Sequence, residues 1–246
     1  MRTTTHLFHT LRLTLLVLML PLTSLHAEDD LTGEDLMHSV RAHLPPMPLR
    51  LTGFVRTREG RRNIDRSLVS ELRFGNAPPE IRFQLADRFG APLTSARISW
   101  PGITPRFQQW DADANPLPDA VPGDELADTG LTWSDLSLDF LWWDGAEITG
   151  RERIKTRPAH IVVIPAPDSR PDLSAVQLWI DTSALFIVRA QLLGPNGERV
   201  KRIDVDSIVE VRDDMWMVKD LIIRDQINNR RMGIRFEDVE ELEETP

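Results

Sequence analysis

The sequence predicts a mainly β protein of the α+β type: a strongly curved antiparallel sheet forming a half-open β-barrel, with an N-terminal helix and a mid-chain helix covering its cavity. Three observations lead there. Segment after segment alternates apolar and polar residues with period two, the mark of strands buried on one face. Two stretches depart from that alternation, and each opens on a capping box, Thr32 with Asp35 and Thr132 with Asp135. The second of these lies mid-chain and is apolar on two sides, which suits a short helix laid across the mouth of a curved sheet.

Residues 1–27 read as a secretory signal. Arg2 and Arg12 supply the charged region, Leu13 to Leu22 the apolar run, and Leu25-His26-Ala27 a small-residue end. The run is short for a membrane span, and no later stretch approaches the roughly 20 apolar residues that a spanning helix needs. The expectation is an exported, periplasmic protein that is monomeric and not an integral membrane protein. Residues 28–246 suffice for a single domain, closing on an acidic tail from Glu237 that is expected to fray. There are no cysteines, hence no disulfide framework and no cysteine to carry a lipid after the signal.

The first helix is expected over Asp29–Leu44, with Leu36, Met37, Val40 and Leu44 on one face, and Pro45-Pro46-Met47-Pro48 ends it. Alternation then sets in at Leu49–Arg56, turns near Glu59-Gly60, and continues through Ser67–Phe74, Glu80–Ala86, Thr94–Trp100 and Arg106–Trp110. Residues 111–128 hold Pro116, Pro118 and Pro122 among acids and small residues, as an irregular loop does. The mid-chain helix should run from Thr132 to Trp143. On a helical wheel Trp133, Leu136, Phe140 and Trp143 form one stripe and Leu138, Leu141 and Trp142 a second, leaving Ser134, Asp135, Ser137 and Asp139 polar. Seven further strands are expected: Ile148–Ile154, His160–Pro165, Ala175–Asp181, Phe186–Leu192, Glu198–Val211, Met215–Arg224 and Arg230–Phe236. Gly194-Pro195-Asn196-Gly197 and Arg212-Asp213-Asp214 have the composition of hairpin turns.

A formal net charge of -9 argues against nucleic acid as a partner. His38, His43 and His160, the histidines outside the signal, have no metal-ligand spacing, and there is no nucleophile elbow or phosphate-cradling loop. Asp135 and Asp139 stand one helical turn apart. Asp135 is explained as a capping partner and Asp139 as a solvated edge between the apolar stripes, so no catalytic residue, metal or cofactor is expected. Arg56, Arg58, Arg61, Arg62 and Arg66 gather at one hairpin, either as a solvated edge guarded against aggregation or as a contact for anionic headgroups or an acidic partner. Seven Trp and nine Phe with no Tyr fit a greasy cavity and a plain core equally.

The segment Leu131-Thr132-Trp133-Ser134-Asp135-Leu136-Ser137 and the strand Val176-Gln177-Leu178-Trp179-Ile180-Asp181 carry a resemblance, extended by the hairpin Gly194 to Lys201 and the strand Trp216-Met217-Val218-Lys219. With the order of export signal, helix, meander, mid-chain helix and further strands, the chain resembles the LolA-like outer-membrane lipoprotein-sorting proteins of the bacterial periplasm. Their shape is shared by LolB and the N-terminal domain of RseB/MucB sensors. The resemblance implies a hydrophobic cavity sheltering acyl chains of a lipid or lipoprotein, with Trp133, Leu136, Leu138, Phe140, Leu141, Trp142 and Trp143 as cavity or lid residues. Arg56, Arg58, Arg61 and Arg62 would then meet headgroups or a partner. The function implied is a lipid or lipoprotein carrier without catalysis. The alternative is an envelope sensor or adaptor that binds proteins, envelope membrane proteins among them, through the same fold. A carrier needs an open apolar cavity, whereas an adaptor can be filled solid.

Overall fold

A computed structural model describes residues 31–212 and 215–243. The signal expected at residues 1–27 lies outside the described residues. Helix α1 (Gly33–Ala42) begins at its predicted box: the Thr32 hydroxyl accepts the Asp35 N–H at 3.1 Å, and the Asp35 carboxylate accepts the Thr32 N–H at 3.3 Å. Leu36, Met37 and Val40 are its buried face. Five strands follow, β1 (Leu49–Glu59), β2 (Arg62–Arg73), β3 (Glu80–Ala86), β4 (Pro92–Ser99) and β5 (Arg106–Trp110). After a short helix α2 (Trp133–Ser137) and a 3-10 turn (Asp139–Trp142) come β6 (Glu147–Ile154), β7 (Arg157–Pro165), β8 (Ala175–Asp181), β9 (Ile187–Leu193), β10 (Arg199–Arg212), β11 (Met215–Asp225) and β12 (Arg230–Glu241).

All twelve strands form one antiparallel sheet in the order β5-β4-β3-β2-β1-β12-β11-β10-β9-β8-β7-β6. Every neighbour is a chain neighbour except at the middle, where β1 pairs with β12. β5 and β6 are left as the two edges, so the sheet is open and does not close into a barrel. Alternation decides the faces. In β1, Leu49, Leu51, Val55 and Thr57 are buried while Thr52, Arg56 and Arg58 are exposed. The register slips at Thr52/Gly53, where Glu237 is the extra residue of β12, and a Cβ on Gly53 would stand 2.0 Å from the Arg235 carbonyl oxygen, which is why glycine stands opposite that bulge.

Phe83 of β3 and Ala190 of β9 line the same cavity although six strand spacings separate β3 from β9. Flat, those spacings would put the strands roughly 29 Å apart, so the sheet curls. The core fills its inner face, running from Leu36 and Met37 through Leu68, Phe83 and Ile98 to Leu178, Ile223 and Ile234.

Two expectations are corrected. The single helix over Thr132–Trp143 is two pieces, because Leu138 takes a left-handed conformation (φ 50, ψ 50) that ends α2 after Ser137 and starts the 3-10 turn. The two stripes of the wheel therefore do not share one axis. The tail from Glu237 does not fray throughout. β12 continues to Glu241 because Leu51 pairs with Val239 and Leu49 with Glu241, and the backbone ladder holds what the acidic side chains would leave to solvent.

Since β5 and β6 are opposite edges, residues 111–146 must cross the sheet. The Thr57 hydroxyl of β1 donates to the Thr129 carbonyl at 2.5 Å, and Lys201 of β10 donates to the Gly130 carbonyl at 3.2 Å. At the far end Glu34 of α1 accepts the N–H groups of Gly145 and Ala146 at 2.6 and 2.8 Å, and Arg41 donates to the Leu141 carbonyl at 3.0 Å. These bonds need α1 close: a Cβ on Gly33 would lie 2.2 Å from the Ala146 carbonyl oxygen. Gly33→Ala is therefore expected to cost about 1–3 kcal/mol of stability in urea denaturation. Gly102→Ala, where a Cβ meets nothing within 4 Å, should stay within about 0.5 kcal/mol of wild type.

Candidate functional site

An apolar cavity of about 210 Å³ lies between the inner face of the sheet and the helical segments. Val40 and Leu44 reach it from α1 and its C-terminal end, Leu72 and Phe83 from β2 and β3, and Ile203, Leu221 and Ile234 from β10 to β12. Of the predicted cavity residues, Leu136, Leu138, Phe140 and Leu141 line it. Leu136 and Leu138 are only partly buried, as side chains facing an open space are. The wall also holds His43, Ser70, Ser137 and Arg189, and of these Ser70 of β2 is 1% exposed with a hydroxyl that has no hydrogen-bond partner among the described residues. Nothing in the alternation distinguishes Ser70 from the leucines beside it, so sequence reasoning missed it.

Trp133, Trp142 and Trp143 are not among the residues lining the cavity. Trp133 stacks on Phe83 at 5.7 Å and donates its indole N–H to Gln109 of β5 at 2.9 Å. Trp142 stacks on Trp100 at 5.3 Å, and Trp143 meets Phe140 edge-on at 6.4 Å. The tryptophans pin the crossing segment, and the leucines and Phe140 face the space beneath it.

Behind the cavity the polar residues of the segment are buried. Asp135 performs its predicted capping role, accepting the Thr132 N–H at 2.8 Å, and also takes Lys201 Nζ at 2.5 Å. Asp139, expected at a solvated edge, is a correction: its side chain is 8% exposed and pairs with Arg170 at 3.1 Å, because the break at Leu138 turns it inward. Burial pushes the Asp139 carboxyl up to about 6, prevailing over the attraction of Arg170. Burial also works against the Arg170 charge, yet its hydrogen bond to Asp172 and the charge of Asp139 hold its proton more firmly than usual. Neither Arg170 nor Lys201 carries a local signal that would reveal a partner 31 or 66 residues away. The two aspartates are held by cations and caps, an arrangement that fastens a segment.

Arg56, Arg58, Arg61 and Arg62 are all exposed at the β1–β2 turn, and none of them lines the cavity. Arg56 pairs with Asp65 at 2.8 Å, and Arg66 donates to the Ala127 carbonyl at 3.3 Å. No group of three or more potential ligands is placed to hold a metal among the described residues, and no helix among them is long and apolar enough to cross a membrane.

An open antiparallel sheet curled around a crossing helical segment and an apolar cavity is a LolA-like fold. A DUF1329 family protein of Desulfovibrio piger superposes with a TM-score of 0.75 at 14% identity, over 87% of this chain and 93% of that one. A domain of Vibrio parahaemolyticus named for outer membrane lipoprotein sorting gives 0.75 at 9% identity, over 87% and 94%. A LolA superfamily protein of Nitrosomonas europaea gives 0.67 at 12%, over 87% and 95%. At these identities the likeness establishes the fold alone. No curated protein matches the sequence. A family model described as "Uncharacterized protein" matches residues 117–246, more than half of the chain, and the chain belongs to that family.

The buried carboxyl has a pH signature. With an ordinary value of 3.8 in the unfolded chain and about 6 when folded, Asp139 binds its proton more tightly in the folded state. Its contribution to stability is thus fully present below 3.8 and lost as pH rises through about 6, a difference of about 3 kcal/mol. His160, which burial and Arg151 push below its usual value, acts oppositely in the same range, so the comparison is with a variant. Urea denaturation of wild type minus Asp139→Asn should show that difference falling between pH 4 and 7; a pH-independent difference would contradict the assignment.

Proposed function

We propose that this protein is a periplasmic, non-catalytic carrier that buries acyl chains of a lipid or lipoprotein in the cavity between its sheet and the segment over it. The observation that carries the reading is the apolar cavity itself, which a solid-packed adaptor would not need. Each methylene moved from water into such a space contributes about 0.8 kcal/mol, so a chain can be held by burial with no specific polar contact. The unpartnered Ser70 hydroxyl offers one donor in the wall, suited to the carbonyl oxygen of an acyl ester.

In this reading Leu136, Leu138, Phe140 and Leu141 are the lid's inner surface, and Trp133, Trp142 and Trp143 are its anchors. Leu138, a non-glycine residue at φ 50, is the hinge between the halves. Arg56, Arg58, Arg61 and Arg62 form a second, outward contact for an acidic partner. Arg58 and Arg61 pair with no carboxylate among the described residues, and this favours the adaptor reading as an accompaniment to carriage.

Native mass spectrometry of protein purified from an envelope fraction, followed by addition of lipid or lipoprotein, tests the carrier. Copurifying or added lipid should be seen; neither bound lipid nor uptake would leave only the adaptor. Leu138→Asn, which tolerates the left-handed backbone and removes apolar wall, should reduce uptake while the apo protein melts nearly as wild type. Phe140→Asp should lose both uptake and several kcal/mol of stability, since a carboxylate would be buried without a partner.

A further inference from the structure

β9 pairs with β10 only from Arg189↔Asp204 to Leu193↔Arg199, whereas β10 runs on to Arg212. Past the last of those pairs, β10 has no strand neighbour on its β9 side among the described residues, and a second cavity of about 270 Å³ is lined there by Asp206, Ser207 and Ile208. Along β10 it takes Arg202, Asp204 and Asp206, whereas the apolar cavity takes Ile203 and Val205, so the two lie on opposite faces of the sheet; they share Phe186, Arg189 and Val205 and meet where β9 no longer covers β10.

The second cavity is basic. Its walls hold Lys155, Arg157, Arg189, Arg202 and Arg224 against Asp204 and Asp206, in a chain whose net charge is -9. Asp204 accepts from Arg189 at 2.8 Å, Arg202 at 2.9 Å and Arg224 at 2.5 Å. Burial would raise its pKa, but the hydrogen bonds from Arg202 and Arg189 hold it below the ordinary value. It therefore stays ionised and offsets one of the three guanidinium charges around it. Arg157 pairs with Asp181 at 3.1 Å, and Lys155, in the turn between β6 and β7, faces no carboxylate partner among the described residues. A cross-strand charge ladder that served stability would match its cations with anions, because like charges set side by side repel. The surplus of cations is what such a ladder leaves unexplained. Guanidinium groups present paired N–H donors that match a phosphate or carboxylate.

We propose that this basic cleft receives the anionic head group of an amphiphile whose acyl chain lies in the adjoining apolar cavity, the head being a phosphate ester or a carboxylate. The proposal rests on the chain-binding reading above and adds the class of ligand.

Three probes test it on the purified protein by isothermal titration: dodecyl phosphate and the neutral dodecyl maltoside with the same chain, both below their micelle concentrations, and inorganic phosphate. Dodecyl phosphate should bind at least about tenfold tighter than the maltoside, the size of a charge-assisted hydrogen bond, and inorganic phosphate should bind far more weakly than either. In Arg202→Gln/Arg224→Gln the ratio between the two amphiphiles should fall toward one. Lys155→Gln, which removes no hydrogen bond or ion pair among the described residues, should lower it in part. Equal affinity for the two amphiphiles in wild type would overturn the head-group site while leaving chain binding intact. A preference that survives the double variant would do the same. Inorganic phosphate binding as tightly as dodecyl phosphate would assign the cleft to a free anion and overturn the proposal. Binding of no amphiphile at all would remove the carrier reading and this inference with it.

Discussion

The structure depends on one topological constraint: the strands on either side of the mid-chain segment, β5 and β6, lie at opposite edges of a twelve-stranded sheet. The chain can join them only by crossing a face. That crossing supplies the second layer which an open sheet needs to bury its apolar side, in place of the second sheet of a sandwich. A backbone laid across a sheet interior cannot leave its carbonyl and N–H groups unpaired. The side chains of Thr57, Lys201, Glu34 and Arg41 meet several of those groups, and they come from strands and a helix otherwise remote in the chain.

The cover so made is held unevenly. The aromatic contacts of Trp133 and Trp142 tie it to Phe83, Gln109 and Trp100, all on β3 to β5 or just beyond β4. Lys201 and Arg170 hold its two buried aspartates. Beneath Leu136 and Leu138 nothing equivalent fills the space toward β10, β11 and β12, and the cavity is what remains. Apolar voids are costly to keep in a protein interior, and the buried Asp139 carboxyl, raised to about 6, adds to that cost.

Much of the sheet was legible because alternation reports burial on one face directly. Both capping boxes were legible because a cap is local, four residues long and chemically specific. The break at Leu138 was not, since leucine has no preference for a left-handed backbone and only the surrounding packing imposes it. With the helix axis mistaken, the wheel placed Asp139 at the surface and the tryptophans on the cavity. The extension of β12 to Glu241 was hidden for a related reason: Glu240 and Glu241 look like a solvated tail until Arg50 and Leu49 of β1 are seen to be their ladder partners. Ser70 and Arg170 were invisible in different ways, one being an inward position of an ordinary strand and the other a loop residue whose partner is remote.

The seam between β1 and β12 has a consequence for how the chain acquires its structure. Ten of the eleven strand pairings join chain neighbours or nearly so, while the one at the centre of the sheet brings Leu49 to Glu241 and unites the beginning of the folded region with its end. Hairpins such as β1–β2 or β10–β11 are local and need no distant partner, but the two halves of the sheet have no shared spine until β12 pairs with β1. Contacts between residues so far apart in sequence make folding slow. Without that pairing β1 and β12 would each present an open strand edge, and such edges invite pairing with other chains.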